Sequence, residues 1–242
     1  MRQIILERRK TRPYIFKRPP KRAVQCLALR LAYAVTMFLR SDYNQYCQGN
    51  EMGFCISWIA RRGSSIDELL RMSGRSVTGE CHEFLDIGWY LLELSHGRET
   101  PWVLLIADGA ENYADLSTTH AATISNSGCE TVYFQCSDIV MASELGWFKD
   151  GVEAWSIRYD CADSSMQPAV NGEVPSVANN LLEDFRKKQP LDDSTDYLYE
   201  IAGELGHHFV GFRHDIDVKA REFRRLSNLD KQRPAWWQFW QR

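Results

Sequence analysis

The chain has 242 residues, 44% of them hydrophobic, with eight Trp, which is enough for one large domain or two small ones and excludes global disorder. Its charge is split: residues 1–50 hold eleven Lys/Arg against Glu7 and Asp42, whereas residues 51–242 hold 18 basic and 30 acidic side chains. The acidic part is a poor ligand for nucleic acid, because phosphate binding needs the opposite charge.

The basic run from Arg8 to Arg22 precedes an apolar stretch, Ala23–Leu39, that Arg30 interrupts. It falls short of the roughly 18–20 uninterrupted apolar residues of a membrane span, and no A-x-A-type cleavage site follows. Residues 1–51 are therefore read as a basic extension. It is either a targeting or membrane-surface segment, with residues 1–40 as the anchor, or sequence upstream of a true start at Met52. The seven Cys (Cys26, Cys47, Cys55, Cys81, Cys129, Cys136 and Cys161) are odd in number and irregular in spacing, with no C-x-x-C. That is neither a disulfide framework nor a zinc signature, and buried free thiols in a reducing cytoplasm are expected.

From Phe54 the sequence alternates as a strand to Ala60. Ser65-x-x-Glu68 is a capping box for a helix over Ile66–Met72, and Gly74 fits its stop. Trp89–Leu94, Trp102–Ala107 and Glu130–Gln135 read as further strands, with a weak helix over Tyr113–Ile124 between the last two. Asp150-Gly151 suits the positive-φ positions of a type I′ turn and predicts a hairpin of Ile139–Phe148 with Val152–Tyr159. Residues 163–174 are loop-like. Val177, Leu181 and Phe185 then mark a helix that Pro190 ends. Tyr197, Leu198, Ile201, Ala202 and Leu205 mark a second that Gly206 ends, and Asp217 caps a third through about Leu226.

Segregated strands and helices predict an α+β fold, a mainly antiparallel sheet with a few packed helices and a small C-terminal helical part. The expected boundaries are a sheet domain over 52–163, a linker over 164–174, a helical subdomain over 175–228 and a Trp-rich tail over 229–242.

Asp196, Glu200 and Glu204 recur at i, i+4 and i+8 and form one carboxylate stripe, with Asp192 and Asp193 beside it. Trp236 and Trp237 head the aromatic tail. These seven residues are the expected partner-binding set. His207, His208, His214 and Asp215 are the densest metal-ligand types and support an alternative reading as a metal-dependent hydrolase. Cys81-His82-Glu83 falls in strand-like sequence, where neighbours point to opposite faces, so Cys81 and His82 do not form a nucleophile–base pair. Ser95-His96 is equally weak. The Walker A, G-x-G-x-x-G and G-x-S-x-G motifs are absent, and neither catalytic residue nor cofactor is expected.

Met52-Gly53-Phe54-Cys55-Ile56-Ser57-Trp58-Ile59-Ala60, Gly88-Trp89-Tyr90-Leu91, the Trp147-to-Asp160 hairpin and Gly211-Phe212-Arg213-His214-Asp215 together resemble a group of small uncharacterised bacterial proteins. In size and acidity the chain is similar to cytoplasmic immunity proteins of polymorphic-toxin systems. That resemblance implies a non-enzymatic protein that neutralises a basic toxin or effector domain through an acidic surface. It fixes neither a catalytic residue nor an oligomeric state.

Overall fold

A computed structural model describes residues 53–63, 65–95, 100–126, 128–191, 194–216 and 222–228. Its centre is one antiparallel sheet of nine strands in the order β2-β9-β3-β4-β1-β5-β6-β7-β8. The strands are β1 (Cys55–Arg62), β2 (Arg75–His82), β3 (Gly88–Leu94), β4 (Trp102–Asp108), β5 (Thr131–Ser137), β6 (Ala142–Lys149), β7 (Val152–Asp160), β8 (Ala169–Gly172) and β9 (Phe223–Asn228). Four helices flank them: α1 (Ile66–Ser73), α2 (Thr118–Ser125), α3 (Ser176–Lys188) and α4 (Tyr197–Val210). The fold is α+β.

Strand alternation sorts the apolar residues into two cores, one per face. Ile56, Trp58, Tyr90, Leu104, Phe134 and Trp155 join side chains of α3 and α4 in the larger core. Ile59, Trp89, Leu91, Leu105 and Tyr133 join Leu69 of α1 and Ala121 and Ile124 of α2 in the other. The sheet is therefore the middle of three layers. Within the described residues, no helix is long and apolar enough to cross a membrane.

The predicted hairpin forms, with Asp150 and Gly151 at φ 51° and 81° and a register shift between Trp147 and Phe148. Four expectations are corrected. The helix expected over Tyr113–Ile124 splits into a 3-10 turn (Tyr113–Asp115) and α2, because Ser117 turns out of helical geometry and its side chain caps the N–H of His120. The 163–174 segment contains β8, which pairs with β7 from Trp155↔Gly172 to Arg158↔Ala169. Helix α4 runs through Gly206 to Val210. A Cβ on Gly206 would lie 2.9 Å from the Trp58 ring, so this glycine lets the helix approach the sheet, and Gly211 at φ 80° ends it. The third helix expected to reach Leu226 is instead β9. Phe223 and Leu226, three apart, bury into opposite cores, as a strand requires. Asp217 lies outside the described residues.

Among the described cysteines, Cys55, Cys129 and Cys136 are buried free thiols and Cys81 is an exposed one. Cys161 departs from the expectation, being disulfide-bonded.

Candidate functional site

The expected site residues converge only in part, at the end of the sheet where β1 begins and β4 and β5 finish. Asp138, just past β5, ties this end together. Its backbone N–H donates to Phe54 O at 2.8 Å, and its Oδ2 accepts from Phe54 N at 3.0 Å. Its Oδ1 accepts from the Tyr199 hydroxyl of α4. Gly109 N donates to Cys55 O at 2.9 Å, and the space beside Gly109 is filled by Ile87, 2.8 Å from where a Cβ would stand. Phe54 in turn meets the His214 ring edge-on at 4.7 Å. A row thus runs from Ile87 through Gly109 and Phe54 to His214.

Three apolar side chains on or beside this row face solvent: Phe54 is 45% exposed, Ile87 50% and Ile216 43%. Carboxylates stand beside this row: the charge of Asp86 acts on Asp108, and those of Asp108 and Asp138 act on Cys55. Burial, opposed by a hydrogen bond from Gly109 N–H and reinforced by Asp86, pushes Asp108 up to about 6. Burial also raises Glu200, against the attraction of Arg213 and with the repulsion of Asp215, Asp138 and Glu204.

The stripe on α4 is present but is partly answered from within. Asp196 caps the helix by accepting from Tyr199 N, and its Oδ2 accepts from the Tyr159 hydroxyl at 2.8 Å. Glu200 and Glu204 share one guanidinium: Arg213 donates Nη2–H to Glu200 and Nη1–H to Glu204, each at 2.5 Å. The same Arg213 grips Asp215 with Nε at 2.6 Å and Nη2 at 2.8 Å. Burial alone would raise Asp215, but the hydrogen bonds and charge of Arg213 hold it below the usual carboxylate range. Glu200 and Glu204 keep their outer edges open, with a third or more of each side chain in water. Asp192, Asp193, Trp236 and Trp237 lie outside the described residues.

The structure does not assemble the alternative metal centre. His207 and His208 are exposed on α4, whereas His214 turns inward between Phe54 and Phe134. Within the described residues, no group of three or more His, Cys, Asp or Glu is placed to hold an ion. His214 Nε2 instead lies 3.7 Å from the Cys136 thiol, a pair with the residue types of a nucleophile and its base. Its electrostatics oppose that chemistry. Burial lowers His214 and raises Cys136 well above its ordinary value, so both stay neutral and the thiolate is not formed. Cys81 and His82 point to opposite sides of β2, with Cys81 exposed and His82 edge-on to Tyr90 at 5.6 Å.

No family model matches the chain, and no significant match was found among curated proteins or solved structures.

Sequence reasoning missed Phe54, Ile87, Ile216, Asp138 and Arg213 as parts of one surface. Apart from Arg213 and Ile216, which share the loop after α4, they come from separate segments that only the tertiary fold brings together. Arg213 carried a faint signal, since it follows the helix-ending Gly211 and can fold back on the preceding helical face.

Proposed function

We propose that the chain is a non-enzymatic protein-binding protein that holds a basic partner at this end of the sheet. In that reading it neutralises a toxin or effector domain as cytoplasmic immunity proteins do. The carrying observation is that exposed Phe54, Ile87 and Ile216 each stand next to a carboxylate: Asp138 accepts from Phe54 N, and Asp86 and Asp215 adjoin Ile87 and Ile216 in the chain. Apolar groups give an interface its desolvated anchors, while surrounding charge sets association rate and partner choice. Arg213 neutralises part of the α4 stripe, so the anchors carry affinity and the open edges of Glu200 and Glu204 carry steering. The neutral, buried Cys136–His214 pair offers no nucleophile, which favours binding over catalysis. Among the described residues, four free thiols suit a reducing cytoplasm, and the Cys161 disulfide stands against it.

The test is capture of partners from the native host by the full chain, followed by purification of the stoichiometric protein and binding kinetics across a salt series. The reading expects a basic partner whose association slows as salt rises. Phe54→Asp and Ile216→Arg should each speed its dissociation, whereas Glu204→Lys should mainly slow association. Co-expression should also relieve toxicity of the partner. A partner that binds these variants as tightly as the parent chain would sink the reading.

A further inference from the structure

We infer that a hollow on the other face of the sheet, between α1, β2 and α2, is a binding site for a small carboxylate with a compact apolar body. The cavity measures about 270 Å³, just under the usual size of small-molecule sites. Trp89, Leu105, Leu116 and Ile124 contribute nearly fully buried side chains to its lining, giving it an apolar base.

Among its described lining residues, Arg75 supplies a cation. The Arg75 guanidinium carbon lies 3.3 Å from the centre of the Trp89 ring, so stacking holds the fork in place. Its side chain is only 13% exposed, yet Nε is shut off from solvent with no hydrogen-bond acceptor. The paired carboxylate, Asp115, is 3.9 Å from Nη2, beyond hydrogen-bond reach, and is itself mostly in water. Burial pulls Arg75 below its ordinary value, and Asp115 only partly opposes this. Because Nε is closed to water, an entering carboxylate oxygen would meet the Nη end of the fork, where charge-assisted N–H···O bonds form.

The other polar groups of the lining narrow the choice. The Ser73 and Thr123 hydroxyls are already donated to Leu70 O and Thr119 O, each at 2.9 Å. Ser117 Oγ accepts from His120 N and lies 2.9 Å from His120 Nδ1. With Ser117 donating to Nδ1, the His120 ring carries a proton on Nε2, a second donor at the rim. Asp115 disfavours a dianion such as phosphate, so a singly charged carboxylate with its body on the apolar base is the best fit.

The test is calorimetric titration of the full chain with phenylacetate, phenylacetamide and inorganic phosphate. Phenylacetate should bind saturably at one site in the millimolar range or tighter, with both other probes clearly weaker. Arg75→Gln should weaken phenylacetate roughly tenfold or more, the size expected for a lost charge-assisted hydrogen bond. Thr123→Trp, at the exposed rim, should block entry with Arg75 intact, which covers the case in which Arg75→Gln fails to fold. Absence of saturable phenylacetate binding, equal binding of phosphate, or binding indifferent to Thr123→Trp would each overturn the proposal. The partner surface uses none of the residues that line this cavity, so either reading can fail without the other.

Discussion

Asp108 shows how one residue can link the acidic surface to stability. It ends β4, faces Ile56 of β1 and Gly88 of β3 in the ladders, and holds Gly109 N–H at 2.8 Å through Oδ1. Burial lifts it to about 6, against about 3.9 for an unfolded aspartate. A raised carboxyl contributes stability that is complete below the unfolded value and lost as pH rises through the folded one. At neutral pH the folded protein therefore carries an ionised carboxylate in a site that favours the acid. Asp108→Asn keeps an acceptor for Gly109 and removes the charge. It should stabilise the protein at about pH 8 by up to about 3 kcal/mol and leave it nearly unchanged at about pH 4. Urea unfolding at the two pH values measures this, and an equal effect at both would show that ionisation is not the cause.

At the scale of the element, α1 separates what local sequence specifies from what the fold adds. The predicted capping box is half formed. Ser65 Oγ accepts from Glu68 N at 3.3 Å, but the Glu68 carboxylate goes to Arg61 of β1, also at 3.3 Å. Arg61 is almost wholly buried, its other contacts including Cys129 Sγ at 3.3 Å. A cap is worth about 1 kcal/mol, whereas removing one partner of a buried ion pair costs about 3 kcal/mol or more. Glu68→Gln should therefore lower the unfolding free energy more than Ser65→Ala does. The reverse order in urea titrations would show that Glu68 serves the helix rather than Arg61. The same division governed which elements could be read from sequence. The Asp150-Gly151 hairpin and the α1 stop at Gly74 depend on adjacent residues and were legible. β2 is polar and mostly exposed, and the Phe223/Leu226 spacing of β9 suits a helix as well as a strand. Both become strands through pairing with each other across about 140 residues of chain. The carboxylate stripe was legible from its i, i+4 spacing, whereas its closure by Arg213 and its link through Asp138 to Phe54 follow from topology.

Across the whole molecule, the sheet is unevenly bound, and this predicts how it opens. β1 lies near the middle, with seven register pairs to β4 and seven to β5, and every one of its residues is buried. β3 also makes seven pairs with β4. Between β3 and β9 there are only two, Tyr90↔Arg225 and Leu91↔Arg224. Among the described residues, β2 has β9 as its only neighbour in the sheet, and their ladder shifts register between Val77 and Cys81. The β2–β9 ribbon is thus joined to the rest by a narrow backbone seam, reinforced by side chains such as Arg225 on the Tyr90 hydroxyl and Arg224 on Glu93 at 2.6 Å. Regions with few buried contacts and exposed backbone bonds open before the global transition. Amide exchange in β1, β4 and β5 should require global unfolding and accelerate with urea at the full equilibrium slope. Amides of β2 and β9 should share one lower opening free energy and a smaller slope, because parting the seam frees both strands together. If β9 amides exchanged as slowly as those of β1 while β2 exchanged quickly, the opening would lie between β2 and β9, and the side-chain bonds at the seam would outweigh its short ladder.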